Sequence, residues 1–319
     1  MKCKSISASR DKSYEMCEFK YYLDYHLGIP QAKKFAAEQG TFCHEIYEKL
    51  AQESKKGVKK PKLLKGWVNL LLQAYRKDRE VTNRFGAKEI IPALWTLSSK
   101  ALEREKFCDT CSYFADGQCW VTGKDVTEFE GCPKDEFDDS AWLIEKVLND
   151  ESKLNPLNKK ILEIEYKFSL KIPTHAETIT VNGVIDLVAK IDKESIEIED
   201  YKTGRYIQSY SDCLQDIQLL IYNLAARELF PEYKYIFVTI HYLRRKTLTF
   251  VFGPEDEEQT KQRIISRYFE IKNNTFPRRR CDKPNGFVNF DYVCKYMCNM
   301  KACQIEHEKM ISHGEMTNE

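Results

Sequence analysis

Three consecutive segments with the composition of β-strands constrain the fold of this chain more than any other feature. Residues 161–172, 178–191 and 195–202 are rich in β-branched side chains and are separated by short turns. Only residues 192–194 separate the second segment from the third, so these two segments predict an antiparallel hairpin. Because helical patterns precede and follow the strands, the order of elements predicts an α/β fold with a mixed central sheet flanked by helices.

Two carboxylates interrupt the apolar pattern of this hairpin. Apolar residues occupy both faces of the segment 178–191, which predicts a central strand, and alternation puts Asp186 on one face with Val184 and Val188. A buried charge without a partner costs several kcal/mol, so Asp186 needs a lysine or a metal ion beside it. The hairpin can bring Asp200 to the same end of the sheet, where two carboxylates repel unless a cation lies between them.

A hard divalent cation, Mg²⁺ or Mn²⁺, is the natural occupant of such a carboxylate pair. Lys202 follows Asp200 by two residues and can reach the same space, where its ammonium group would orient a water and stabilise charge on a phosphate. Glu165, on the preceding strand, is a further candidate ligand or catalytic residue. Two alternatives stay open, a structural salt bridge between Asp200 and Lys202 and a solvated face for Glu165.

Composition excludes several classes of protein. The 319 residues are 42% hydrophobic and 31% charged, which is typical of a globular protein and not of a disordered chain. The sequence has no run of 18 apolar residues, which predicts no membrane-spanning helix, and its first residues lack the apolar core of a secretory signal. We therefore expect a cytoplasmic protein without a membrane partner. The net charge of +1 gives no argument for nucleic acid, although lysines and arginines cluster at 55–65, 244–246 and 278–280.

Several short motifs in the correct order resemble the PD-(D/E)XK (restriction-endonuclease-like) nuclease superfamily and, within it, the RecB-type branch. They are Gly40-x-x-x-His44-Glu45, Gly183-x-x-Asp186, Asp200-x-Lys202-Thr203-Gly204 and Gln218-x-x-x-Tyr222. The opening pattern Ser7-x-Ser9, Tyr14-x-x-Cys17 and Tyr21-Tyr22-Leu23 resembles the iron–sulfur members, which include nucleases of CRISPR adaptation.

This resemblance implies roles for the matched residues. The metal ligands would be His44, Asp186, Asp200 and the carbonyl group of Tyr201, and Lys202 would be the catalytic lysine. Gln218 and Tyr222, four residues apart on one helix face, would support the site or contact DNA. Without the ordered motifs, His44 and Tyr222 would instead be interpreted as ordinary core residues.

The twelve cysteines point to metal, because disulfides rarely persist in a reducing compartment. The resemblance implies a [4Fe–4S] cluster that joins the two ends of the chain, with the ligands Cys17, Cys294, Cys298 and Cys303. The spacing departs from the family, whose first C-terminal pair is usually Cys-x-x-Cys, and Cys281 is an alternative to Cys294.

A second set of cysteines lies in a segment that is poor in aliphatic residues. The four residues are Cys108, Cys111, Cys119 and Cys132. Four thiolates at this spacing suit a tetrahedral Zn²⁺ site, with a second iron–sulfur cluster or unliganded cysteines as the alternatives.

These patterns predict four regions. Residues 1–50 would be N-terminal helices of the nuclease domain, 51–150 a helical insert with the four-cysteine module, and 151–260 the catalytic core. Residues 261–319 would form a C-terminal helix and a cysteine cluster that closes onto the N-terminus.

The function predicted from these features is a metal-dependent DNA exonuclease. Single-stranded DNA or DNA ends would be its substrate, in recombination, repair or replication, with a helicase, a recombinase or a single-strand-binding protein as possible partners. The alternatives are a non-catalytic nucleic-acid-binding protein on a nuclease scaffold and, with less support, a site-specific endonuclease.

Overall fold

The computed structural model describes the central part of the chain almost continuously and the remainder in pieces. The described residues are 3–29, 35–57, 79–82, 88–91, 114–115, 118–119, 124–125, 143, 147, 154–204, 206–275, 279, 294 and 298–313.

The N-terminal helices are α1 (Ala8–Met16), α2 (Glu18–Tyr21) and a π-helical turn (Tyr22–Leu27), followed by α3 (Phe35–Lys55). Cys17 has extended backbone angles and separates α1 from α2. Gly28 ends the segment in the left-handed conformation that glycine adopts without strain.

Short strand pairs lie in the predicted insert. They are β1 (Arg79–Thr82) with β2 (Lys88–Ile91), and β3 (Phe114–Ala115) with β4 (Gln118–Cys119) and β5 (Lys124–Asp125).

A mixed five-stranded sheet forms the centre of the fold, as the sequence predicts. Its strands are β6 (Lys160–Pro173), β7 (Thr178–Lys190), β8 (Ser195–Lys202), β9 (Tyr235–Tyr242) and β10 (Lys246–Phe250). In space the order is β10-β9-β8-β7-β6, with β8 and β9 parallel and the other neighbours antiparallel. The hairpin of β7 and β8 is confirmed, and β7 lies inside the sheet between β8 and β6, as a central strand does.

The remaining helices are α4 (Tyr210–Leu214), α5 (Ile217–Leu229), α6 (Pro254–Asn273) and α7 (Met300–Ser312). The sequence predicts one helix over 214–229. The chain instead starts a new helix at Asp216, whose side chain accepts a hydrogen bond from the amide of Gln218 and caps α5.

Two apolar clusters cover opposite faces of the sheet. Ile198 packs in the main cluster with Leu224 of α5 and Ile264 of α6, whereas Tyr201 packs with Ile46 of α3. The sheet therefore has helices on both faces, and burial of these side chains supplies the main driving force for folding. None of the described helices is both long enough and apolar enough to cross a membrane.

The alternation of β7 is interrupted at Asp186, contrary to the regular pattern expected from the sequence. Ile185 and Val188 pack in the main cluster, whereas Leu187 packs in the cluster under α3. Opposite this point on β6, Glu165 has a positive φ of 46°. The irregular backbone puts Asp186 at the junction of the two clusters.

Candidate active site

The site forms where β7 and β8 stop pairing. The last pair in this direction is Leu187 with Glu199, and the next two acidic residues on the strands are Asp186 and Asp200. Asp186 Oδ2 accepts a hydrogen bond of 3.0 Å from the amide of Tyr201. The Asp186 side chain therefore binds an amide of β8 beyond the last backbone pair. Burial and the nearby charge of Asp200 raise the pKa of Asp186 to about 7.

Glu165 completes a group of acidic residues on three neighbouring strands. It lies between the register pairs Ile164–Leu187 and Tyr166–Ile185, which puts it opposite Asp186. Its left-handed backbone costs about 1–2 kcal/mol for a residue other than glycine, and strain of this kind clusters at functional sites. Burial raises the pKa of Glu165, so this carboxyl also favours a cation nearby.

His44 reaches this group from α3. Its Nε2 donates a hydrogen bond of 2.8 Å to the carbonyl oxygen of Tyr201, while Nδ1 lies 3.5 Å from Asp186 Oδ2. In the neutral tautomer that this bond selects, the lone pair of Nδ1 faces the carboxylates. The rings of Tyr47 and Tyr201, with centroids 5.1 Å apart, pack α3 against β8 and hold His44 in place.

A cavity of about 10 Å³ is lined by His44, Glu165, Asp186 and Tyr201, among others. One ligand atom from each of His44, Glu165 and Asp186 lies within 4.8 Å of the other two. A space of this size holds a single water or ion. Carboxylates with one imidazole and a carbonyl group nearby fit a divalent cation such as Mn²⁺ or Mg²⁺.

Asp200 is held by a second set of contacts beside this cavity. Lys202 Nζ lies 2.7 Å from Asp200 Oδ2, and Gln218 Nε2 donates to Asp200 Oδ1 at 2.7 Å. Burial works against the charged amine of Lys202, but the Asp200 carboxylate outweighs it and raises the pKa of Lys202. The lysine is therefore a cation at neutral pH.

Gln218 connects this pair to the flanking helices. Its Nε2 also donates to the hydroxyl of Tyr222 at 2.9 Å, and that hydroxyl donates to the carbonyl oxygen of Val184 at 2.8 Å. Its Oε1 accepts from Lys202 at 3.3 Å and from Lys12 at 3.5 Å. Tyr222 thus orients Gln218 and binds β7 at Val184, two residues before Asp186.

The seven nuclease-type side chains predicted from the sequence all lie in this region, in two subgroups. His44, Glu165 and Asp186 surround the small cavity, and Asp200, Lys202, Gln218 and Tyr222 form the adjoining network. The Tyr201 carbonyl, expected as a ligand, faces His44.

Sequence reasoning missed Lys12 of α1. Its Nζ lies 2.8 Å from Asp216 Oδ1 in addition to its contact with Gln218. No local pattern could have identified this residue, because its partner is 204 residues away in the sequence.

Some of the cysteines that were predicted to bind metals lie among the described residues. Cys17 and Cys303 are buried in one cluster with Phe19, Leu23 and Met310, which joins the N-terminal helices to α7. Cys294 and Cys298 are half-buried. Cys119 belongs to β4, and the other cysteines that were predicted to bind a metal or to substitute for a ligand lie outside the described residues: Cys108, Cys111, Cys132 and Cys281.

Comparison with known families explains this arrangement. Residues 5–303 match the family model described as PD-(D/E)XK nuclease superfamily. The chain belongs to the PD-(D/E)XK nuclease superfamily. The matched range includes every residue of the candidate site, so a nuclease superfamily fold carries the acidic group and the lysine described above.

A candidate exonuclease from Eubacterium rectale is 11% identical in sequence, with a TM-score of 0.43, and the match covers 93% of this chain and 94% of that one. No curated protein matches the sequence.

Proposed function

We propose that this protein is a metal-dependent DNA exonuclease. The observation that carries the proposal is the junction of the small cavity with the Asp200–Lys202 pair. Side chains that could hold a cation and a protonated amine lie side by side there, which supports hydrolysis of a phosphodiester.

His44, Glu165 and Asp186 would hold the cation, and the charge of Asp200 acts on Asp186 beside them. The Tyr201 carbonyl accepts a hydrogen bond from His44 Nε2, so it would orient the imidazole. When bound, a divalent cation lowers the pKa of a coordinated water and neutralises charge on the phosphate. Lys202 is held protonated by Asp200, so it acts as a cation that donates to a phosphate oxygen and not as a general base. Gln218 positions this amine relative to Asp200 through hydrogen bonds to both groups.

The proposal that the substrate is single-stranded DNA or a DNA end rests on the family resemblance. The exposed or half-exposed lysines near the site, Lys12 and Lys167, are compatible with a phosphate backbone. A helicase, a recombinase or a single-strand-binding protein would be suitable partners for such an activity.

The test is cleavage of end-labelled linear DNA by the purified protein with Mg²⁺ or Mn²⁺. Asp200→Asn and Lys202→Met should each abolish cleavage, whereas the exposed controls Asp192→Asn and Lys171→Met should not. Cleavage of closed circular DNA would show an endonuclease instead. DNA binding without cleavage in any divalent metal would favour the non-catalytic alternative, and cleavage that survives both site substitutions would exclude this site.

We further propose that Cys17, Cys294, Cys298 and Cys303 bind a [4Fe–4S] cluster and that the central four cysteines bind Zn²⁺. The shared burial of Cys17 and Cys303 in one cluster supports the first part. Anaerobic purification followed by iron, sulfide and zinc analysis tests both parts. A Cys303→Ser variant should lose iron and keep zinc, and a wild-type protein without iron would overturn the cluster.

A further inference from the structure

A second, much larger cavity opens beside the catalytic network. Its volume is about 690 Å³, within the range of roughly 300–1,000 Å³ that is typical of pockets for small organic ligands. It lies between α1, the β6–β7 pair and α5, and Gln218 and Tyr222 belong to its wall as well as to the catalytic network. Whatever occupies this cavity therefore lies next to the reacting phosphate.

The walls of this cavity combine an apolar surface with cations. Phe168, Val184 and Ile221 supply apolar surface, and Val184 is unusually exposed for a valine of the sheet, at 37%. Lys12 and Lys167 also line the cavity. This combination suits a planar or sugar-like group that carries a phosphate, and it does not suit a purely apolar ligand.

The two lysines are held differently. Asp216 fixes the amine of Lys12 at 2.8 Å, so this cation is prepositioned at the edge nearest the catalytic residues. Lys167 is exposed, and among the described residues it makes no ion pair, so its charge is available to a ligand.

Register puts Lys167 close to the metal ligands. Lys167 pairs with Val184 across β6 and β7, and Glu165 and Asp186 lie two residues away on the same two strands. Two residues of a strand span about 7 Å, a step that one nucleotide can bridge. The cavity thus begins one such step from the candidate cation position.

The geometry points to a nucleotide-binding subsite. On the proposed nuclease function, the cavity receives the nucleotide adjacent to the scissile phosphodiester, with its base against Val184 and a phosphate at Lys167, the residue that pairs with Val184. A base inside a duplex cannot enter without leaving the stack, so the subsite favours single-stranded substrate.

The close packing at Gly183 explains how Phe168 comes to line this cavity. A Cβ built on Gly183 would lie 2.2 Å from Phe168 Cζ, so the Phe168 ring occupies the place of a side chain there. Val184 and Lys167 form the next register pair, on the other face of the two strands.

The test uses two substitutions that act by different means and one matched control. Val184→Trp fills the cavity, and Lys167→Glu reverses the charge at its rim. Lys171→Glu makes the same charge change four residues further along β6, where the amine binds Thr180 outside this cavity. Binding of fluorescein-labelled oligo-dT is measured by anisotropy with Ca²⁺, and cleavage is measured with Mn²⁺.

Each cavity variant should weaken oligo-dT binding, and raise KM, by about tenfold relative to the wild type and to Lys171→Glu. The wild type should bind a substrate with one abasic nucleotide next to the terminal bond about tenfold more weakly than the intact substrate. For Val184→Trp, the abasic nucleotide should cause no further loss of affinity. This loss of additivity shows that the base and Val184 contact each other, which a general structural defect would not produce.

The outcomes separate the subsite from the nuclease activity. If the wild type does not cleave DNA, the proposed function fails, and the anisotropy measurements still decide the subsite. If the wild type cleaves DNA but the cavity variants bind and cleave like Lys171→Glu, or if the abasic effect persists in Val184→Trp, the subsite is overturned.

Discussion

Replacing Asp186 by asparagine should stabilise the metal-free protein while destroying its proposed metal site. The side chain is only 15% exposed, and burial together with Asp200 raises its pKa from 3.8 to about 7. In the unfolded chain the same carboxyl titrates near its ordinary value. Between about pH 4 and pH 7 the folded state therefore binds more protons than the unfolded state, and stability falls as the pH rises.

The size of the effect follows from the two pKa values. The rise from 3.8 to about 7 corresponds to about 4 kcal/mol, at about 1.4 kcal/mol for each pH unit. Asparagine has no charge to bury, and its side-chain oxygen can still accept from the Tyr201 amide. We expect Asp186→Asn to be more stable than the wild type by up to about 4 kcal/mol at pH 8, and equally stable near pH 4.

Urea denaturation in EDTA at several pH values measures this difference, and Mn²⁺ is then added in place of EDTA. The cation should stabilise the wild type at pH 8, because it binds only the folded site, and should leave the variant nearly unchanged.

Asp192→Asn is the matched control, since this exposed carboxyl lies in the turn of the same hairpin. Hydrogen bonds from the amide of Glu194 and from Ser195 lower the pKa of Asp192, so its loss should not stabilise the protein. A variant at position 186 no more stable than the wild type at pH 8 would refute the reasoning.

Three further predictions concern the lysine, the strained backbone and the close packing of the sheet. Lys202→Met should lower single-turnover cleavage by about 100-fold or more without changing Mn²⁺ affinity in a calorimetric titration, because the amine is not a ligand; a parallel loss of affinity would contradict this role. Glu165→Gly should be more stable than Glu165→Ala by about 1 kcal/mol in urea, since only glycine adopts the positive φ without strain, and equal stabilities would mean that the backbone relaxes. Gly183→Ala should lower the free energy of unfolding by about 1–3 kcal/mol, as measured by thermal denaturation, because the new Cβ meets the Phe168 ring. Adding Phe168→Leu should recover part of this stability. An unchanged melting temperature of Gly183→Ala would show that the ring moves aside freely.

The sequence determines the local elements because their signals are local. Alternation over a few residues identified the strands, and the short turn at 192–194 determined that β7 and β8 form a hairpin. Once that hairpin exists, Asp186 and Asp200 must approach each other, and Lys202 follows from its two-residue spacing. The polar residues in an apolar strand were the signal that indicated chemistry, since burial of charge requires a compensating partner.

Only the tertiary structure decided which of these side chains surround the small cavity and which of them contact Asp200. The positive φ of Glu165 turns its carboxyl toward Asp186, and Lys12 reaches Asp216 across a separation of 204 residues in the sequence. The large cavity likewise depends on how α1, α5 and the β6–β7 pair pack together. Such convergence depends on strand register, backbone distortion and helix docking, which are set by the sum of many distant contacts, and periodicity along the chain carries no information about them.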